Sequence, residues 1–538
     1  MVAHLEPAHV SGSGAAVVAA PRPRPTVRDA AAVAILLELI LVVHDVKTML
    51  SAPYWVDEAW VALSVRLPLG DLPVTTSSSP VGWSFLLRLV PDADHLRVVP
   101  LAFHGLAVVG AYAFGRSLRW PTAGRGIVAG VACALVVLLL PAQQVRHDLK
   151  QYTADAAVAV CLLVLVSWAE QAWSRRRLGV LTAAVAVAML VSHVTAIVGP
   201  CVFGALLLTT ASRRQWSRVV EVSLAGSNAG IIVTAVYLGI SSRGRNEAMV
   251  RYWADSFPDP VELPGYLGDR FADLSPLVGA PGLVVAGALV AGTVTLVRRE
   301  RPATALAVVL LPVVVSTLGI AGLYPLLELR TSHFLLVAAA AVAGVGIAGL
   351  ADLAVTRFGH RLPRARPAVL ATAVCALLIG PYAIGNGHWY RFDGNEPGLY
   401  YTAISVTDIR SATEYVAEHR AGNDVVVMND AAWYGFAFYS RREPLELVAP
   451  YGNTVGWSVR MPRRSDVVVV GGQDAGGVRG GIEQAVELAG RRGANARVWL
   501  IRSHLVGAER DAWRQALADY RVAQVTDGIE PVALVSRG

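Results

Sequence analysis

The sequence predicts an α-helical polytopic membrane protein of about eleven transmembrane helices, followed by a C-terminal extracytoplasmic α/β domain. Three observations carry that prediction. The 538 residues are 54% hydrophobic and only 16% charged, against roughly 25% charged for an ordinary soluble domain, and the mean hydropathy is +0.49. Apolar runs near the ~20 residues that cross a ~30 Å hydrocarbon core recur along most of the chain. Between them fall short loops in which arginines cluster with regular spacing. A soluble multidomain enzyme is excluded.

Residues 1–30, rich in Pro, Ala and Arg, read as a disordered cytoplasmic tail. No cleavage site follows the first apolar run, so that run is expected to stay as an anchor. The spans fall at 31–50, 97–115, 124–142, 152–170, 178–193, 194–212, 218–240, 279–298, 303–323, 333–353 and 366–387. Only Ser192 and His193 separate the fifth from the sixth. Arginines precede the first span (Arg22, Arg24, Arg28). Further groups stand at Arg116–Arg125, Arg175–Arg177, Arg213–Arg218, Arg298–Arg301 and Arg357–Arg366. With eleven spans all of these groups share one side, which the positive-inside rule assigns to the cytoplasm. Arg243, Arg245 and Arg251 are the exception, in a long outer loop where the rule is weaker.

The net charge of +7 comes from 45 Arg and 2 Lys. Its scatter through loops argues topology and no nucleic-acid partner. Arg in place of Lys, with abundant Ala, Val and Gly, points to a GC-rich bacterial genome and a bacterial plasma membrane. Cys133, Cys161, Cys201 and Cys375 all lie in apolar runs and read as small core residues, not as a disulfide framework.

Residues 31–387 form the expected transmembrane unit, with outer loops at 51–96, 143–152, 241–277 and 324–333. The first outer loop holds Tyr54-Trp55-Val56-Asp57-Glu58-Ala59-Trp60, and Trp60, Leu63 and Leu67 recur at helical spacing, which predicts an amphipathic helix on the membrane surface. Neighbours on a helix point about 100° apart, so Asp57 and Glu58 cannot both serve one reacting atom. One can act as a base while the other braces it. Asp57 as helix N-cap, with Glu58 favouring the dipole, stays open beside that reading.

The second segment, Gln143 to Tyr152, holds Arg146, His147, Asp148 and Lys150. Lys150 and Lys47 are the only lysines of the chain. Both are placed outside, where an ammonium meets a phosphate as a point charge. The third segment, Tyr324 to His333, contains Arg330, an arginine on the side otherwise poor in them. It calls for an anion as partner, with Glu328 or the lipid headgroups as the other partners open to it. His44, Asp45 and Asp155 sit near outer helix ends, either extending the same cavity or making helix contacts.

Residues 388–538 change character. Strands are predicted at Val425–Met428, Val467–Val470, Val498–Ile501 and Val532–Val535, alternating with helices near 408–420, 480–491 and 507–520. Gly471 to Gly477 is glycine-rich after a strand, but no GxGxxG spacing fits it.

A carboxylate and several cations on the side away from nucleotides suit a sugar donor that arrives on a lipid phosphate. The Asp57-Glu58 pair, the Lys150-Gln151-Tyr152 element opening the fourth helix, and Tyr324-Pro325 with Arg330 resemble the membrane-embedded GT-C glycosyltransferases. The likeness is to the bacterial polyprenyl-phosphate-sugar-dependent branch: protein mannosyltransferase, aminoarabinose transferase and galacturonosyl transferase-like groups. It implies inverting transfer of a sugar from a polyprenyl-phosphate donor to a glycan, lipid or protein acceptor, with Asp57 as general base and Glu58 beside it. Lys150, Tyr152 and Arg330 would engage the donor's phosphate or sugar, with Arg146 and Tyr324 beside them and Lys47, His147, Asp148 and His333 in support. Some members use a divalent metal, but no ligand set for one can be named in this sequence, nor any other cofactor. The position before Lys-Gln-Tyr often carries a glutamate in such proteins, whereas Arg146, His147 and Asp148 stand here. Two other classes remain: a transporter or lipid flippase, with ionisable groups along a midplane path and often an inverted repeat, and a non-catalytic envelope scaffold. Convergence of the outer loops on Asp57 is what the enzyme requires and the scaffold does not.

Overall fold

The computed structural model describes residues 26–75, 79–141, 148–244, 251–328, 330–358, 367–387, 408–440, 446–448, 458–460, 465–471, 474–505, 507–528 and 530–538. Each of the eleven expected runs contains a helix. In chain order the first part comprises α1 (Val27–Val43), α2 (Val46–Ser51), α3 (Val56–Ser64), α4 (Leu72–Thr75), α5 (Val81–Arg88), α6 (Val98–Ser117), α7 (Ala123–Leu138) and α8 (Tyr152–Gln171). It continues with α9 (Arg175–Ala188), α10 (Thr195–Ser212), α11 (Trp216–Gly239), α12 (Leu263–Val278), α13 (Gly282–Arg298), α14 (Pro302–Ile320), α15 (His333–Phe358) and α16 (Pro367–Gly385). Among the described residues seven helices are long and apolar enough to cross a membrane, and α7 and α13 are shorter apolar helices. The first and fifth expected spans fall short, at 17 residues for α1 and 14 for α9, which opens on three arginines.

The first span is also broken. Asp45 adopts a left-handed φ of 41° and its carboxylate accepts from the Thr48 N–H, so a new helix, α2, starts where one continuous helix was expected. Helix α15 packs against α7, α8 and α13 at the centre of the bundle. Gly344 lies against the Cys133 backbone and Gly346 against that of Ala288, so a Cβ at either position would clash. Small residues of this kind let membrane helices approach closely. Large apolar side chains stand exposed along α11, α13 and α16, among them Leu224, Ile231, Leu238, Leu283, Val290 and Leu377. Such faces are stable against lipid and not against water. The chain is a multi-pass membrane protein.

The two ends of the bundle differ. At one end Arg116 pairs with Asp29, Arg119 with Glu300, and Arg125 and Arg299 with Asp352, so several of the arginine groups meet there. The opposite end carries α2 to α5 and the C-terminal layer.

That layer has α17 (Ile409–His419), β1 (Val425–Asn429), α18 (Asp430–Ser440), β2 (Glu446–Val448), β3 (Ser458–Arg460), β4 (Val467–Val470), α19 (Ala475–Arg492), β5 (Val498–Ile501), α20 (Gly507–Leu517), β6 (Tyr520–Gln524) and β7 (Ala533–Arg537). The main sheet runs β4-β1-β5-β7-β6, with β1 parallel to both neighbours and β7 antiparallel to β5 and β6. The expected strands are present. Helix α18, strand β6 and the β2–β3 pair were not anticipated. Strand β1 is buried on both faces: Val425 and Val427 pack with α19 and α20, while Val426 and Met428 share a core with Tyr54, Ala59, Leu63, Trp83 and Leu149. Alternation puts successive side chains on opposite faces, so one strand serves two cores.

Helix α3 therefore does not lie on an open membrane surface. Ala59, Val61, Ala62 and Leu63 are buried, and α18 packs against it. The segment looked amphipathic because its apolar face covers another protein layer. Gly471 to Gly477 lies partly outside the described residues. Asp474 caps α19 by accepting from the Gly477 N–H at 2.8 Å, so a carboxylate already occupies that helix start.

Candidate active site

The N-cap of α3 is Trp55, not Asp57, and Glu58 accepts from the Trp55 N–H at 3.3 Å. The two adjacent carboxylates then diverge, as the helix geometry requires. Glu58 turns inward to Arg97, which precedes α6. Arg97 Nε donates to Glu58 Oε1 at 2.8 Å and Nη2 to Oε2 at 2.5 Å. Its remaining hydrogens go to the carbonyls of Met49, Ala52 and Pro53 at 2.7, 2.7 and 2.9 Å. Both side chains are 1% exposed. The fork is satisfied and closed to solvent.

Asp57 points the other way and is a quarter exposed. Its Oδ2 accepts from Lys150 Nζ at 2.7 Å and from Arg330 Nη1 at 3.4 Å. Burial pushes the Asp57 carboxyl up, but Lys150 and Arg330 outweigh it and hold it below the ordinary carboxylate value. Asp57 is an anion at neutral pH.

Each cation is positioned by its own loop. Lys150 sits ahead of α8, in a segment pinned by Ser79 Oγ to Gln151 Oε1 at 3.0 Å and Trp83 Nε1 to the Leu149 carbonyl at 2.6 Å. Its ammonium lies 5.6 Å from the centre of the Trp60 ring, one turn on from Asp57. Asp148 Oδ1 accepts from the Lys150 N–H at 3.0 Å. Burial pushes the Asp148 carboxyl from 3.8 up to about 6, against the pull of Lys150. Arg330 also donates to Glu328 at 3.2 Å and to the Tyr252 hydroxyl at 3.0 Å. Of the partners weighed for it in the sequence Glu328 is engaged, together with Asp57 across the site.

Four loops at one end of the bundle meet here, through Asp57, Lys150, Tyr252 and Arg330. Tyr152, buried at the start of α8, interacts electrostatically with Arg330. Tyr324 donates to the Thr331 carbonyl at 2.7 Å and so braces the Arg330 loop. His333 is buried at the start of α15. Lys47 is exposed on α2, outside the cluster. Arg146 and His147 lie outside the described residues. His44 packs edge-on against His104 at 4.7 Å, Asp45 caps α2, and Asp155 accepts from Ser192 Oγ at 2.6 Å, so these make helix contacts. Among the described residues no group of three or more His, Cys, Asp or Glu side chains could hold a metal ion. Glu58 is committed to Arg97, and Asp57 to Lys150 and Arg330.

Sequence reasoning missed Arg97, Tyr252 and His504. Arg97 carried the signal used for Arg330, an arginine on the side poor in them, but Arg66 and Arg88 in the same loop dilute it. Tyr252 and His504 carried none.

No family model matches the sequence, and no curated protein matches it. Solved structures do. ArnT from Cupriavidus metallidurans in the apo state superposes with a TM-score of 0.51 at 13% identity, covering 94% of this chain and 98% of that one. The same protein bound to undecaprenyl phosphate gives 0.51 at 14% identity, covering 94% and 97%. The archaeal oligosaccharyltransferase AglB from Archaeoglobus fulgidus, in complex with an inhibitory peptide and a dolichol-phosphate, gives 0.50 at 10% identity, covering 95% and 74%. The chain has the fold of these proteins, a polytopic helical bundle with a small α/β layer, as expected from the sequence.

Proposed function

We propose that this chain is a membrane glycosyltransferase that moves a sugar from a polyprenyl-phosphate-linked donor to an extracytoplasmic acceptor, with inversion, using Asp57 as general base. The observation that carries the reading is a partly open carboxylate held between Lys150 and Arg330 where four loops meet, in a fold shared with a protein solved with undecaprenyl phosphate. The cations keep Asp57 deprotonated before reaction. As the acceptor oxygen bonds to the anomeric carbon, its proton passes to Asp57 and the bond to the phosphate oxygen breaks. Lys150 and Arg330 then face the charge that builds on the departing phosphate. Stabilisation of both anions by one pair of cations links the base to the leaving group. Glu58 and Arg97 anchor α3 and so fix Asp57, a positioning role distinct from the chemistry.

The site lies at the end of the bundle opposite the arginine groups. That supports a bacterial plasma membrane with the N-terminus in the cytoplasm and the C-terminal layer outside. The three loops that an enzyme needs to converge do so with a fourth, which favours the enzyme over a scaffold. The test is transfer from a panel of radiolabelled polyprenyl-phosphate sugars in membranes carrying the wild type or Asp57→Asn. Incorporation by the wild type alone names the donor. No incorporation from any donor by intact protein would put the transporter and scaffold readings ahead.

A further inference from the structure

The C-terminal layer is fastened to the first outer loop at several points. The Tyr54 N–H donates to the Tyr439 hydroxyl at 2.8 Å, Arg410 Nη1 to the Ser51 carbonyl at 3.1 Å, and Arg66 stacks over Phe438. At the carboxyl end of the sheet, the connection from β1 to β4 leaves on one side of β1 and the return to β5 lands on the other. Open α/β sheets bind ligands at such a crossing point, outside the carboxyl ends of their strands. Here that end faces α3.

The segment after β5 is held firmly. Asn429, the last residue of β1, donates to the Ser503 carbonyl at 2.8 Å and accepts from the Ser503 N–H at 3.0 Å, while its amide also donates to Glu509. Glu530 lies against Ser503 and the His504 N–H. His504 itself takes a left-handed φ of 51°, a conformation that persists in side chains other than Gly or Asn where the surroundings over-determine it. Its ring meets Trp55 at 6.1 Å, edge to face, two residues before Asp57. His504 and Asp57 are close enough for each to feel the other's charge.

We propose that His504 is a positioning residue for Asp57, supplied by the C-terminal layer, so that the base is fully set only when that layer is seated on α3. The proposal rests on the glycosyl-transfer reading for its consequence but not for its geometry. Asp57 is held by Lys150 and Arg330, and His504 reaches it through Trp55 at the start of the same helix. His504 in turn faces Asp57 from α3. Arg502 flanks it along its own segment, and Glu530 and Asp408 lie close by. Glu509 and Asp430 lie beyond Asn429. Burial lowers the imidazole's affinity for a proton and Asp57 opposes that.

The test uses the full chain in lipid nanodiscs. His504→Asn keeps the left-handed backbone and removes the imidazole. The Asp57 carboxyl band, identified by its loss in Asp57→Asn, is titrated by infrared difference spectroscopy. Its midpoint should rise in His504→Asn, because a group favouring the anion is gone. The acid limb of transfer should move the same way with the donor KM unchanged. His504→Gly, which also meets the backbone demand, should give the same shift if the Asn variant melts early. An unmoved Asp57 midpoint in either variant, at wild-type thermal stability, would overturn the proposal. A wild type that transfers no sugar would sink the glycosyl-transfer reading, and the titration would still decide the pairing.

Discussion

Asp57 and Glu58 are neighbours in sequence and opposites in circumstance. Glu58 meets one arginine whose donors are all spent, at 1% exposure on both sides. Asp57 shares two cations between loops and remains a quarter open. A closed pair with saturated hydrogen bonds fixes structure, because removing one partner leaves a buried charge. An open carboxylate that shares its cations with other groups can exchange its partners for a substrate. The difference separates framework from chemistry within a single helical turn.

The comparison can be broken in five ways. Asp57→Asn should cost about 10²–10⁴-fold in transfer rate while the protein still inserts and melts as the wild type does. A rate within tenfold of wild type would defeat the assignment. The same group predicts that transfer persists down to pH values below the ordinary carboxylate range, since the cations lower Asp57. Arg97→Ala should instead destabilise the protein by about 3–5 kcal/mol, leaving Glu58 buried and unpaired. Thermal unfolding in detergent measures that, and an unchanged melting temperature would erase the contrast.

Asp148 sits between the two extremes. Folded, it holds a proton up to about pH 6; unfolded, it releases one near 3.8. The folded chain binds more protons between those values, so this stability is present below the lower one and is lost as pH rises through the upper. Asp148→Asn, which keeps an acceptor for the Lys150 N–H, should therefore be more stable than wild type by about 2–3 kcal/mol at neutral pH. In acid the two should match. Equal melting at both pH values would refute the assignment of that burial. Arg330→Ala should raise the donor KM about tenfold, as expected for one charge-assisted contact. An unaltered dependence of rate on donor concentration would remove Arg330 from donor binding.

Much of this was readable beforehand, for definite reasons. The spans were legible because length and apolarity suffice to mark them. The break at Asp45 was not, since a single left-handed residue leaves no trace in hydropathy. Lys150 stood out because the chain has two lysines, and Arg330 because it lay on the wrong side for an arginine. Helix α3 was legible as a helix, but not the layer that covers it, because an apolar stripe looks the same against lipid and against protein. Glu58 could be read only as half of a pair. Its separation from Asp57 depends on Arg97, 39 residues away, and on carbonyls that only the folded chain assembles.

Strand β1 gives one core its odd residues and another its even ones. The outer layer is thus a roof whose beams rest on the walls below, not a pendant on a tether. A chain ended before Asp408 would leave Tyr54, Ala59, Leu63, Trp83 and Leu149 as an oily ledge facing water. Grafting another tail would require recutting the first loop to match it. Tail and loop can only change together, like two halves of one joint.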